Sequence, residues 1–386
     1  MLLAVGLIAI IGCVYAYAIQ DIDRTLKRAD RYLTINNQPE DAEALARRVL
    51  FLDPSNAEAA VVLGTSLNQQ QKFKEAIEAF RKVPNTSDLF PEASYGASAC
   101  LMFDGQYSEA ESLLKSLLES HPHFDSAREL LRTLYVRTFR VGDALHLVTS
   151  RLRLQPDDLT YLPVVLKTAA DFPLGLGIEH ELAEYNQQFP NQPVVIAALA
   201  RAYWLKGETA EAARHFHELM ELPAPPFLSV VWATQFWIEN GDLPKAQTAL
   251  KLVESTLKTE SVLPHQESAA CAARAAMASS NRSYEKAQEH LNMAIRLDPS
   301  DPANYSKRAT IRRRLGDKSG AAEDTVSAMR LGASIEELRR LASRVKNGEV
   351  SPQICQEVAD QLAKQGNQEL SSAWIRLKDA LTNQRL

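Results

Sequence analysis

Apolar residues recur along the chain with the spacing of amphipathic helices, in pairs of short segments. In residues 57–90, the first segment places Leu63 and Leu67 four residues apart, and the second does the same with Phe73 and Ile77. Residues three or four apart lie on one side of a helix. Polar residues separate the two segments, so the pattern predicts a helix, a turn and a second helix.

The paired pattern repeats every 34 residues, and small residues mark the repeat most clearly. Gly207 and Gly241 are 34 residues apart, whereas Gly241 and Gly316 are 75 apart, which is two periods plus seven. The same excess of seven separates Ala246 from Ala287. The repeat therefore contains one insertion of seven residues. The alanine series comprises Ala42, Ala76, Ala110, Ala144, Ala212, Ala246, Ala287 and Ala321, with Ile178 in the fifth unit.

The period divides the chain into nine helical units with extra segments at both ends. Residues 261–267, with the sequence SVLPHQE, form the insertion, and residues 336–386 are expected to add capping helices, because the end of a stacked array needs a polar outer face. Residues 1–22 precede the array. The units occupy residues 23–56, 57–90, 91–124, 125–158, 159–192, 193–226 and 227–260, then 268–301 and 302–335 after the insertion.

Three features of the repeat carry specific structural expectations. The glycine position should end the first helix in a left-handed conformation, which costs glycine least. The alanine position should face a close helix crossing, where a larger side chain would overpack. In the ninth unit, Arg308 is expected to pair with an acid such as Asp324, and the alternative is a docking patch of basic residues.

These features resemble the tetratricopeptide repeat family. The segment VLGTSL with Ala76 and Phe80 matches the family pattern closely, and so does ALARAYWLKGETAEAARHF at 198–216. The resemblance covers about 310 of the 386 residues and implies an all-α, right-handed α-solenoid of about nine helical hairpins. The fifth unit departs most, with Ile178 at the alanine position and DFPLGLG at its turn.

The resemblance also implies a binding surface, since first helices in this family line a concave groove for an extended peptide or a partner helix. Phe103 and Trp204 could alternatively pack only against neighbouring helices. The lysine and asparagine clamp by which some members hold a terminal carboxylate is not recognisable. Transferred position by position, the groove would contain Thr65, Asn68, Tyr95, Ala99, Met102, Phe103, Thr133, Val136, Arg137, Arg201, Trp204, Val231, Gln235 and Ile238.

The N-terminal stretch LLAVGLIAIIGCVYAYAI, residues 2–19, is uncharged and predicts one transmembrane helix. Four basic residues within 24–31 follow it, which favours a single-pass protein of the bacterial inner membrane with the array in the cytoplasm. The segment IIGC at 10–13 leaves open a lipoprotein attached through Cys13 and carried across the membrane.

Composition and motifs argue against most chemistry. The formal net charge of −5 gives no basis for nucleic-acid binding, and the four cysteines show no Cys-x-x-Cys spacing, so we expect reduced, buried thiols. No phosphate-binding loop, His-Glu-x-x-His or G-x-S-x-G motif occurs. His215 and His217 point about 200° apart on a helix, which is poor for sharing a metal. We expect no catalytic residue, cofactor, metal site or small-molecule substrate.

These observations predict a membrane-anchored scaffold that binds protein partners in its groove, in the assembly or regulation of a membrane or envelope complex. An envelope-exposed factor for outer-membrane or polysaccharide-export assembly is the alternative. A third possibility, an enzyme within residues 336–386, has no motif in its favour.

Overall fold

The computed structural model describes residues 21–154, 179–188, 190–346 and 349–383. All regular secondary structure within these ranges is helical, which confirms the all-α prediction. Most of the fifth predicted unit, including Ile178, lies outside the described residues.

The chain divides into two compact units, residues 1–134 and 135–386. The described helices of the first unit are α1 (21–34), α2 (Pro39–Leu52), α3 (Ala57–Gln69), α4 (Phe73–Phe80), α5 (Phe90–Phe103), α6 (Tyr107–Ser120) and α7 (Asp125–Arg137), whose last three residues belong to the second unit.

Helical hairpins form the first unit, and one aromatic ring joins two of them. Helix α3 contacts α4 and α5, and α5 pairs with α6. The ring of Phe80 lies against the backbones of α3 and α5, where a Cβ added to Gly64 or Gly96 would come within 2.7 Å or 2.5 Å of it. Glycine at these two positions therefore lets the first helices of successive hairpins close on the same buried ring.

The second unit continues the same pattern. Its described helices are α8 (Val141–Leu154), α9 (Glu179–Gln188), α10 (Pro193–Lys206), α11 (Thr209–Glu221), α12 (Phe227–Glu239), α13 (Leu243–Thr259), α14 (Pro264–Ser280), α15 (Tyr284–Leu297), α16 (Pro302–Arg314), α17 (Lys318–Lys346), α18 (Pro352–Lys364) and α19 (Gln368–Asn383).

Hairpins in the second unit pair α10 with α11, α12 with α13, α14 with α15 and α16 with α17. The first helix α12 also contacts the first helices α10 and α14. Their shared core is aromatic at its centre. Phe216 and Phe236 are buried with ring centroids 4.9 Å apart, and Phe236 meets Trp237 edge to face at 4.9 Å. Burial of these large rings supplies much of the apolar area that stabilises this part of the stack.

The two repeat positions behave as expected. All eight described alanines of the series are between 0% and 3% exposed, so each faces a close crossing. At the turn, Gly105, Gly207, Gly241 and Gly316 have φ between 76° and 86°. The other four described units place a non-glycine residue in the same left-handed conformation at that position. These residues are Asn37, Gln71, Phe139 and Arg282.

The seven-residue insertion lies where two helices are longer than their counterparts. Helices α13 and α14 each contain 17 residues, whereas the preceding second helix α11 and first helix α12 each contain 13. Residues 260–263 connect α13 to α14, and residues 264–267 of the insertion form the first turn of α14. Seven residues are close to two helical turns, so roughly one extra turn on each helix preserves the repeat beyond the insertion.

The end of the array differs in one respect from expectation. Helix α17 spans 29 residues and continues through residue 335, where a new helix was expected to begin. No proline interrupts it, and Gly332 lies within the helix and not at a left-handed stop. Helices α18 and α19 form a hairpin that follows α17. Helix α18 begins after Ser351, whose hydroxyl oxygen accepts a hydrogen bond from the Ile354 N–H at 3.3 Å.

Two local predictions are confirmed by the side chains. Arg308 donates to both carboxylate oxygens of the buried Asp324, at 2.6 Å and 2.9 Å. Cys100, Cys271 and Cys355 are buried free thiols. Burial, with a smaller contribution from a nearby carboxylate, raises the pKa of Cys100 to about 12. Cys13 lies outside the described residues.

The prediction of a single-pass membrane protein is wrong as far as the described residues can test it. None of the helices in the described ranges combines the length and the apolar character that crossing a membrane requires. The stretch 2–19, on which the prediction rested, lies outside those ranges.

Candidate partner-binding surface

In the first unit, the predicted groove contains a concavity between the first helices α5 and α7. It has a volume of about 480 Å³ and is lined by Tyr95, Asp125, Ser126, Glu129, Leu130 and Thr133. The hydroxyl of Thr133 donates a hydrogen bond to the Glu129 carbonyl oxygen at 2.9 Å. The site thus combines an aromatic wall with two carboxylates.

Tyr95 and Phe103 differ in how firmly they are held. Tyr95 meets Phe124 edge to face with centroids 6.0 Å apart. Phe103 is 57% exposed, and its ring stacks on Phe73 at 5.3 Å with 16° between the planes. One face of Phe103 therefore remains available for a partner, while the other packs against the second helix of the preceding hairpin.

The remaining predicted groove residues of the first unit vary in exposure. Met102 is buried at 6% and belongs to the core, whereas Thr65, Asn68 and Ala99 are half-buried. Val136 and Arg137, at the end of α7 and already in the second unit, are also half-buried. Only the half-buried members can present atoms to another polypeptide.

In the second unit, Arg201 and Trp204 lie together on α10. The guanidinium carbon of Arg201 is 4.5 Å from the ring centroid of Trp204 and 5.4 Å from that of Trp232 on α12. The indole N–H of Trp204 donates to Glu239 at 3.1 Å. Burial lowers the pKa of Arg201 to about 10, although the negative charge of Glu239 acts in the opposite direction.

Trp204 also packs against the core, which agrees with the alternative in the sequence analysis that this residue contacts neighbouring helices. Its ring meets Phe216 at 6.0 Å and Phe236 at 5.8 Å, both edge to face. Gln235 and Ile238 are half-buried, but Val231 is fully buried. The accessible part of this face is therefore its end near Trp204 and Ile238.

Sequence reasoning missed Trp232 and Glu239, which complete the surroundings of Arg201. Trp232 lies three residues before Gln235 and so shares its helix face. That spacing was a usable signal, but the long apolar run of α12 made this tryptophan indistinguishable from core residues. Glu239 is exposed at the helix end and gave no signal of its own.

A second polar cluster lies at the start of α8, and the insertion supplies part of it. The carboxylate of Asp143 accepts hydrogen bonds from Arg140 at 2.6 Å, from His265 at 2.7 Å and from Gln266 at 2.7 Å. A Cβ on Gly142 would lie 2.6 Å from the His265 ring, which shows how closely the two segments approach.

The electrostatics of this cluster favour the ionised carboxylate. Asp143 is only 3% exposed, and burial alone would raise its pKa. The hydrogen bond from His265 and the positive charge of Arg140 outweigh burial and lower the pKa to about 2. The Asp143 carboxylate therefore stays ionised at neutral pH and has no acid–base role there. The three hydrogen bonds that it accepts connect α8 with the start of α14.

The described residues contain no group of three or more histidine, cysteine, aspartate or glutamate side chains placed to hold a metal ion. His215 is buried, stacks on Tyr203 with centroids 5.6 Å apart and bonds to Glu218 at 3.1 Å, whereas the side chain of His217 is 63% exposed. The two histidines are therefore held in different surroundings.

The described units share a helical hairpin, a buried alanine and a left-handed turn. Family models of the tetratricopeptide repeat match residues 26–94 and 195–227. One matched segment lies in each compact unit. No curated protein matches the chain closely enough to count as a relative.

Several solved structures are similar to the chain at low identity. The APC/C hetero-tetramer Cut9–Hcn1 is 12% identical with a TM-score of 0.38, covering 92% of this chain and 90% of its own. MamA 41-end from Desulfovibrio magneticus RS-1 is 18% identical with a TM-score of 0.33, covering 45% and 96%. A tetratricopeptide repeat protein from Parabacteroides merdae is 15% identical with a TM-score of 0.29, covering 75% and 93%. Likenesses at these scores carry no inference about function.

Proposed function

We propose that the protein is a non-catalytic interaction scaffold that holds an extended segment or a helix of a partner protein along its first helices. In the first unit the contacts would come from Tyr95, Phe103 and Thr133, with Thr65 and Asn68 beside them. In the second unit they would come from Arg201, Trp204, Gln235 and Ile238.

One observation carries the proposal. Phe103, an aromatic residue on the first helix α5, leaves more than half of its side chain exposed, and Tyr95 of the same helix lines the concavity. Aromatic side chains are enriched among the residues that dominate binding energy at protein interfaces. An exposed aromatic side chain costs solvation free energy that a bound partner would recover.

A peptide-binding measurement on the full chain tests this function. Random-sequence peptides are screened for binding, and the best binders are measured against Tyr95→Ala and Trp204→Ala. We expect Tyr95→Ala to weaken the binding of peptides held by the first unit, and Trp204→Ala that of peptides held by the second unit. Each loss should be roughly 30-fold, the effect of about 2 kcal/mol at an interface hot spot.

Phe51→Ala is the matched control, because Phe51 is an exposed aromatic, at 86%, on the second helix α2. Its removal should leave the affinity unchanged. Equal loss in all three variants, or no loss in the two groove variants, would show that the first helices do not form the binding surface.

A further inference from the structure

Arg201 is held in an unusual way for a cation on a predicted binding face. Its guanidinium carbon lies 4.5 Å from the ring centroid of Trp204 and 5.4 Å from that of Trp232. Cation–π attraction to both rings holds the planar group in place. The indole faces, however, do not accept the directed hydrogen bonds that five guanidinium N–H donors can make.

Within the described part of the chain, no acceptor takes a hydrogen bond from Arg201 and no carboxylate lies within ion-pair distance of it. Glu239, whose negative charge acts on Arg201, accepts a hydrogen bond from the Trp204 indole at 3.1 Å. Arg308 makes the contrast clear, because both of its terminal groups are bonded, two donors to Asp324 and one to Asn292 at 2.8 Å. Arg201, unlike Arg308, donates no hydrogen bond to a described residue.

Arg201 is half-buried, so its guanidinium still reaches solvent in the isolated protein. Burial lowers its pKa, and no hydrogen bond to a described residue supports its charge. A guanidinium held beside two rings keeps N–H donors along its edge, and that edge matches the two oxygens of a carboxylate. The chemistry that would complete the site is therefore an acidic group.

We propose that Arg201 binds the side-chain carboxylate of an aspartate or glutamate in the partner segment. This proposal rests on the proposed function, since it names the partner's chemistry at the same face. An internal residue fits better than a chain end, because the half-buried Gln235 and Ile238 continue the face beyond Arg201. An apolar residue close to that acid would pack on the exposed side of Trp204.

The test uses the full chain and peptides of random sequence with amidated C-termini, so that side chains supply every carboxylate. Peptides selected by the wild type should carry an Asp or Glu at a fixed spacing from an apolar residue. Arg201→Gln should weaken the binding of these peptides by about ten- to a hundred-fold, the range expected when a charged, hydrogen-bonded pair is lost. Arg201→Glu should select peptides with Lys or Arg in place of the acid.

Arg214→Gln is the matched control, because Arg214 lies exposed on the second helix α11 and pairs with Glu211 at 2.7 Å. It should leave peptide affinity unchanged. Arg201→Met checks the fold: if Arg201 serves the partner and not stability, this variant keeps its melting temperature while losing acidic peptides.

The outcomes separate the two proposals. If binding depends on Trp204 but shows no preference for acids, or occurs only with peptides that have a free C-terminus, the carboxylate proposal is overturned while the scaffold function stands. The carboxylate proposal is also overturned by the following pair of results. Arg201→Met loses much of its melting temperature, and Arg201→Lys and Arg201→Gln still prefer acidic peptides as strongly as the wild type does. If no peptide binding responds to Tyr95 or Trp204, both proposals are overturned.

Discussion

At the scale of single residues, the turn position shows that backbone conformation is repeated more faithfully than sequence. Gln71 adopts φ of 60° at the position where Gly207 adopts 79° in another unit. A left-handed conformation costs a residue with a Cβ about 1–2 kcal/mol, and glycine avoids this cost. Asn37, Phe139 and Arg282 carry the same cost, so the surrounding hairpins must impose the turn.

A reciprocal exchange measures this cost. Gln71→Gly should raise the free energy of unfolding by about 0.5–1 kcal/mol, because relief of the left-handed strain exceeds the extra entropy of glycine in the unfolded chain. Gly207→Gln should lower it by about 1 kcal/mol, since nothing lies within 4 Å of its added Cβ and only the backbone resists. Urea denaturation followed by circular dichroism gives both values, and effects of the same sign would contradict the explanation.

At the scale of helices, much of the fold could be predicted because the repeat marks each helix several times. The helix starts at Ala57 and Phe227 lie at the predicted unit starts, since the alanine position fixes the second helix and the left-handed turn the end of the first. Helix α17 escaped prediction, because the period ends there and no residue between 330 and 346 breaks a helix. The contact of Arg201 with Trp232 was not predicted either, because the apolar sequence of α12 does not show which of its two tryptophans faces a cation.

The close contact between hairpins gives a prediction at this scale. Gly96→Ala should destabilise the first unit by about 1–3 kcal/mol, because the new Cβ would lie 2.5 Å from the Phe80 ring. The ring cannot retreat, since Gly64 confines it on the other side. Gly332→Ala is the matched control, a helical glycine with nothing within 4 Å, and should be neutral or stabilising by up to about 1 kcal/mol. Thermal and urea unfolding of Gly96→Ala and Gly332→Ala measure the difference. Equal effects would show that the Phe80 ring is not confined between Gly64 and Gly96.

At the scale of the whole second unit, the contacts least accessible to sequence reasoning join segments far apart in the chain. Asp143 and His265 are 122 residues apart, and no period relates them. Leu145 and Val148 of α8 pack in one cluster with residues of α17, α18 and α19, including the fully buried Trp374. A repeat predicts contacts between neighbouring hairpins only. The packing of α8 against α17, α18 and α19 could therefore not be predicted from the repeat.

This return contact predicts an effect at a distance. Trp374→Ala should remove about 3–5 kcal/mol of stability from the cluster, because the largest fully buried side chain in it is lost. Since Leu145 and Val148 share that cluster, the amides of α8 should exchange with deuterium faster although they lie more than 200 residues earlier in the chain.

Hydrogen–deuterium exchange read by mass spectrometry measures this effect. Ile375→Ala, on the exposed side of the same helix α19, should leave α8 protected, and α3, which shares no residue with the cluster, should exchange at its wild-type rate in both variants. Unchanged protection of α8 in Trp374→Ala would mean that α8 draws its stability from the bonds of Asp143 to His265 and Gln266. In that case Asp143→Ala, and not the loss of the tryptophan, would release the helix.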